Sequence, residues 1–292
     1  MLATGNSSRK SGAAAPSPRR IWLCADDYGI STAVNVAIRD LVVRGRLNAT
    51  SAMVVAPSLS RSEAISLDVL NSAAPRVAIG LHLTLTGPFH PLSSGFRPLR
   101  DGAFLPLMET FRLAVMRRFD DALLASEVSS QLATFRNLFG HVPDFVDGHH
   151  HVQVFPQIGE AVLKVVKEAA PNAWVRQCGR AVPLLRRFAD GKGLALDILS
   201  WQLRRRAAAL GVPTNPAFAG TYEFDQDADF AALFPSFLDR LPEGAVVMCH
   251  PGFVDAELER LDPLTSLRER EYAFMASEDF PAVLAGRGLT LG

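Results

Sequence analysis

The 292-residue chain has no net charge: thirty Lys and Arg balance thirty Asp and Glu. Such a chain has no long-range field to gather phosphate backbones or anionic lipid, and no basic patch is large enough to replace one, which excludes nucleic acid and membrane surfaces as partners. Cysteine is scarce. Cys24, Cys178 and Cys249 are far apart, odd in number and set in apolar sequence, which suits reduced, buried thiols in a reducing compartment rather than a disulfide framework. No long apolar run exists either. The longest stretch free of Asp, Glu, Lys and Arg, residues 77–96, is broken by two His, two Pro and three Gly, so it is no membrane span. Residues 1–20 lack the apolar segment of a secretory signal and read as a disordered tail on a cytoplasmic protein. A Gly-rich phosphate loop and a G-x-S-x-G elbow are also absent.

What is present is a globular composition, 48% hydrophobic, 21% charged and 8% aromatic, in a chain long enough to bury about three quarters of its surface. Residues 21–25 form a short apolar run ending in Asp26-Asp27-Tyr28-Gly29, as a buried parallel strand runs into a loop. Ser31 can cap a helix over 34–44, with Val34, Ala37, Ile38, Leu41 and Val42 inward and Gly45 ending it. Further strands are expected at 52–55, 76–85, 144–146, 174–176 and 245–249. Helices are expected at 60–70, 121–139, 156–169, 196–210, 230–241 and 265–276, and a Pro/Gly-rich loop at 87–100.

Strand and helix alternating this often imply a parallel sheet with right-handed crossovers. Distinctive polar residues follow at least four strand ends: Asp26 and Asp27, His82, Asp147 and His149, and His250. Such a sheet is either open and doubly wound or closed into a barrel, and collecting residues from many strand ends is characteristic of a barrel, so the expectation is an α/β fold of one domain, a (β/α) barrel over residues 21–292.

Simple alternation would send the Asp26 and Asp27 carboxylates to opposite sides unless the turn bends both into one site; an isolated Asp-Asp pair before Ser31 more often caps a helix. A single His82 in an apolar strand is commonly a core residue, whereas three consecutive histidines, 149–151, rarely occur without a reason. On an extended chain His149, His151 and Asp147 face one way. Imidazole and carboxylate suit Zn²⁺ and other divalent metals, and a catalytic site needs about three protein ligands with a position left for water. Asp147 could orient a ligand, line the site or cap the loop before Gly148.

The segments ADDYGIS with Val34-Asn35, AIGLHLTLTG, VDGHHHVQVFPQI and VMCHPGFVD, in that order, resemble the YdjC/ChbG-type carbohydrate deacetylases over nearly the whole chain from Ile21. The resemblance implies a distorted TIM-like barrel, a divalent metal (Mg²⁺ or Zn²⁺) held by Asp27, His82 and His149, Asp26 as catalytic base and His250 as acid. It further implies hydrolysis of an N-acetyl group on a sugar or chito-oligosaccharide. Arg268 and Glu271 fall at the family's Arg-x-x-Glu spacing, with Tyr272 where Leu is expected, and Arg268 is a candidate partner of a ligand. His151 is a candidate substrate contact or replacement ligand. Gln153 stands where a further His is expected. The segments 87–107 and 182–223 match no motif, and they would shape the sugar pocket.

The chemistry agrees with these residues. Amide hydrolysis needs a nucleophilic water, stabilisation of an oxyanion and a proton for the departing amine. A barrel amidohydrolase or phosphoesterase is the rival enzyme, but such sites need more His or a modified Lys, and Lys occurs only at 10, 164, 167 and 192. A non-catalytic sugar-binding relative is the rival outside enzymes, although metal binding alone has no use for Asp26. The partner to expect is an N-acetylated sugar or oligosaccharide, with a homodimer left open.

Overall fold

The computed structural model describes residues 17–72, 76–181, 191–225 and 227–292. Its strands are β1 (Arg19–Arg20), β2 (Trp22–Tyr28), β3 (Ala49–Ala52), β4 (Ala78–Leu83), β5 (Phe145–Gly148), β6 (Trp174–Val175), β7 (Phe218–Ala219), β8 (Val246–Cys249) and β9 (Leu289–Thr290). The main helices are α1 (Thr32–Val43), α2 (Arg61–Asp68), α3 (Leu107–Val115), α4 (Asp121–Phe139), α5 (Pro156–Ala169) and α6 (Gly191–Leu210), followed by α7 (Phe230–Phe237), α8 (Ala256–Leu261), α9 (Ser266–Ala276) and α10 (Phe280–Ala285). Among the described residues no helix is long and apolar enough to cross a membrane.

Seven strands form one parallel sheet in the order β6-β5-β4-β3-β2-β8-β7. Every step along the chain, β2 through β6 and then β7 to β8, moves sideways in the same direction, and β8 returns beside β2. A doubly wound sheet would reverse at a switch point; this one winds round on itself. Its edges meet through single bridges, Val175 with Thr214 and Arg180 with Phe218, made by Val175 N–H to Pro213 O (2.9 Å) and Phe218 N–H to Gly179 O (3.0 Å). The fold is thus a distorted TIM-like barrel, with its weakest seam between β6 and β7.

Local chemistry explains the elements that matter for the site. Ser31 Oγ accepts the Val34 N–H at 3.3 Å, and the inward residues of α1 are those the 3.6-residue period picks out, with Asn35 added. Asn35 ties down the turn after β2, its Oδ1 accepting from Gly29 N–H at 2.6 Å and its Nδ2 donating to Ser58 O at 3.0 Å. Helices α4 and α5 have the expected bounds; Gly140, at φ +81°, ends the first, and Pro156 opens the second.

Several expectations are corrected. β3 is residues 49–52 rather than 52–55, because its ladder partners are Cys24, Ala25 and Tyr28 on one side and residues 78–81 on the other. β5 runs on through Asp147 and Gly148, and Asp144 lies outside it. Helix α3, unread in the sequence, follows the loop at 87–100. The expected tail is cut short: residues 1–16 lie outside the described residues, but Arg19–Arg20 pair with Leu289–Thr290, and the Arg19 guanidinium donates to Leu241 O at 2.5 Å. All three cysteines are free and buried.

Candidate metal centre and active-site cleft

β2 ends with a break in its own pleat. Asp27 has φ +68°, and the pairing of β2 with β3 slips between Ala25 and Tyr28. A left-handed residue in a strand makes a bulge, which Asp tolerates better than most side chains. The bulge brings two consecutive carboxylates into one cleft, so that Asp26 and Asp27 both line it while remaining buried.

His82 leaves β4 in register with Asp147 of β5. Its Nδ1 lies 2.7 Å from Asp147 Oδ1 and 3.0 Å from Ser51 Oγ, and its Nε2 lies 3.2 Å from Asp27 Oδ1. A carboxylate on Nδ1 holds a proton there, so that Nε2 is the atom that can coordinate once it has lost its own. Burial by itself would lower the His82 pKa, but Asp147, Asp26 and Asp27 outweigh it and raise the value to about 10.

The expected extended chain through the histidine triplet is not what forms. After Gly148 the backbone closes into a 3₁₀ turn over His149–Val154, with His150 at φ +56° and His151 at φ +58°. His149 and His151 therefore do not share a face. His149 Nδ1 reaches the same Asp27 Oδ1, at 3.1 Å. The His150 ring lies against His149 and its Nδ1 is 2.9 Å from Thr86 Oγ1. His151 packs edge-on to Phe218, and its Nδ1 is buried with no hydrogen-bond partner among the described residues. Burial, and then the Arg176 charge, push the His151 pKa down to about 3. Gln153 is structural, its Nε2 donating to Arg176 O at 3.1 Å.

Two buried arginines organise the carboxylates. Arg176, just after β6, donates through Nη1 to Asp26 Oδ2 (2.6 Å) and through Nη2 to Asp26 Oδ1 (2.7 Å), and its Nη2 is also 2.6 Å from Asp147 Oδ2. Burial would raise the Asp26 pKa; Arg176 and His82 override it and hold the carboxyl at about 2. Arg268 of α9 donates to Asp27 Oδ2 at 2.6 Å and Asp262 Oδ2 at 2.7 Å. It works with the neighbouring imidazoles against burial to hold Asp27 well below the usual carboxylate range.

His250 follows β8. Its backbone N–H donates to Glu271 Oε2 at 2.5 Å, and the other Glu271 oxygen accepts the Tyr222 hydroxyl at 2.6 Å. Tyr272 turns outward, donating to Asp40 at 2.7 Å.

Asp26, Asp27, His82, the three consecutive histidines and His250 line a single cleft of about 510 Å³, with Leu107, Thr221 and Phe224 on its walls and residues 262–267 along its rim. Among the described residues, ligand atoms of Asp27, His82 and His149 all fall within 4.8 Å of one another. Two imidazole nitrogens and one carboxylate, with a second carboxylate orienting one imidazole, suit a divalent cation that keeps open positions. Cys24, Asp26 and Asp147 are similarly close, but the Arg176 guanidinium already lies against all three and supplies the positive charge there.

The sequence profile of the YdjC-like proteins matches residues 20–286. The chain belongs to the YdjC-like protein family. Two relatives of this YdjC-like protein are chitooligosaccharide deacetylases. The one from Citrobacter koseri is 28% identical over 278 residues, 94% of this chain and 97% of the relative. The one from Serratia marcescens is 28% identical over 272 residues, 92% and 95%. An Enterococcus faecalis structure named for cellobiose-phosphate cleavage superposes with a TM-score of 0.70 at 21% identity, covering 94% of this chain and 97% of that one, and it establishes the likeness of fold.

Sequence reasoning missed Arg176, Ser51 and Tyr222. The only signal for Arg176 was a charged residue at the end of a strand beside the carboxylate-bearing ones. Nothing near Tyr222 marked it.

Proposed function

We propose that this YdjC-like protein is a metal-dependent carbohydrate deacetylase that hydrolyses the acetamide of an N-acetylated sugar or oligosaccharide in the cytoplasm. The observation that carries this reading is the convergence of Asp27, His82 and His149 within 4.8 Å, with Asp26 free of them and facing the same cleft. The names of the two bacterial relatives point to the same substrate class.

A divalent cation, Mg²⁺ or Zn²⁺, at Asp27, His82 and His149 would supply the charge that polarises an acetyl carbonyl and acidifies water. Asp147 fixes His82, and Arg268 fixes Asp27. Asp26, kept ionised by Arg176, accepts the proton of the attacking water. His250 donates a proton to the departing nitrogen, so that acetate and a free amine result. Leu107 and Phe224 offer apolar walls on which a sugar ring can pack.

Chelator-treated protein is supplied in turn with Mg²⁺, Zn²⁺, Co²⁺ or Mn²⁺, and acetate release from N-acetylated chito-oligosaccharides is measured. Acetate and new amine in equal amounts, dependent on added metal, are expected. No acetate with any of the four overturns the reading.

A further inference from the structure

His250 reaches the cleft without the support an acid–base imidazole ordinarily has. In such residues a carboxylate or carbonyl on the second ring nitrogen usually fixes tautomer and orientation. Here Nδ1 is buried and has no hydrogen-bond partner among the described residues. The main chain and an aromatic ring hold the residue instead. Glu271, fully buried on α9, accepts the His250 backbone N–H at 2.5 Å. The Phe224 ring stands edge-on to the imidazole, with centroids 5.5 Å apart at 80°. Tyr222 joins the two supports: its hydroxyl donates to the other Glu271 oxygen at 2.6 Å, and its ring packs on Phe224 with centroids 4.5 Å apart.

We propose that Tyr222 and Glu271 are positioning residues for His250: the tyrosine hydroxyl fixes the carboxylate, the carboxylate fixes the His250 main chain, and the Tyr222–Phe224 wall fixes the ring. The inference rests on the deacetylase reading, in which His250 protonates the leaving amine. A buried carboxylate oxygen stripped of its donor is costly to leave unpaired, so loss of the Tyr222 hydroxyl must be relieved by movement of Glu271 and of the His250 backbone bound to it. Burial raises the Glu271 pKa, opposed by His250, the Tyr222 hydroxyl and Arg268, which agrees with a carboxylate that depends on its donors.

The test compares an amide, whose amine leaves poorly without a proton, with 4-nitrophenyl acetate, whose leaving group needs none. Tyr222→Phe keeps the ring and removes only the hydroxyl. Its kcat on N-acetylated chitobiose should fall roughly tenfold with KM within about twofold, and the amide-to-ester rate ratio should fall by the same factor, because misplacing an acid affects only the step that uses it. Glu271→Gln should move the ratio in the same direction, with bound metal unchanged in both variants. Equal losses on the two substrates, or an unchanged ratio in both variants, overturn the positioning role while acetate release by the wild type leaves the deacetylase reading standing. A wild type that releases no acetate overturns both. Should Tyr222→Phe lose its near-ultraviolet circular dichroism, Glu271→Gln by itself carries the same comparison.

Discussion

Arg176 binds the carboxylate of Asp26 through both terminal nitrogens, at 2.6 and 2.7 Å, inside the barrel. A bidentate guanidinium fixes a carboxylate in direction as well as charge. Here the same guanidinium also neutralises Asp147, which orients His82, so one residue supports both the candidate base and a candidate ligand.

Arg176→Met should destabilise the metal-free protein by roughly 3–5 kcal/mol, since it leaves two buried carboxylates without their cation. The pH dependence follows from Asp26. Its folded pKa is depressed from 3.8 to about 2, so the stability it contributes is present above about pH 4 and lost as pH falls toward 2. Urea unfolding of wild type and variant between pH 2 and 6 checks both points, and a loss below about 1 kcal/mol at pH 6 would contradict the role given to Arg176.

Asp27→Ala, His82→Ala and His149→Ala should each lose bound metal, because a site cut from three ligands to two holds the ion poorly. Asp147→Asn should keep all three ligands but weaken metal binding roughly 10- to 100-fold. His82, with its pKa raised to about 10 in the metal-free protein, must shed a proton to coordinate, so binding at pH 8 should release about one proton and tighten with rising pH. Calorimetry in buffers of different ionisation enthalpy reads that proton, and elemental analysis reads the occupancy. Full occupancy in one of the alanine variants would remove that residue from the metal.

Asp26→Asn should retain metal and lower turnover by roughly 10² to 10⁴, the usual effect of removing a placed base. The amide cannot accept the proton. Wild-type turnover in this variant would move the base elsewhere.

His250→Ala should retain metal and lose rate on N-acetyl sugars, while an activated acetate ester suffers much less. A matching loss on both substrates would assign His250 to oxyanion stabilisation or acetyl positioning instead.

The sequence by itself determined the alternation of strands and helices, and with it the parallel sheet, because apolar periodicity is a local property carried by 21–25, 34–44 or 156–169 one segment at a time. It also marked the strand ends where Asp26, Asp27, His82, His149 and His250 stand, since polar residues directly after buried strands betray the open end of a barrel. Tertiary structure decided which atoms meet. Nothing in Asp26-Asp27 announces φ +68° at the second residue, yet without that bulge the two carboxylates would diverge. The triplet 149–151 reads as extended, but the chain must turn immediately into α5, and the left-handed residues at 150 and 151 separate three like side chains into three environments. Arg176 and Tyr222 were invisible for a related reason: each acts on a residue at least 28 positions away, across the barrel interior or from a cleft wall. A pairing between distant segments leaves no periodic trace in either one; it appears only when the sheet curls to bring the end of β6 to Asp26 of β2 and when β7 pairs with β8.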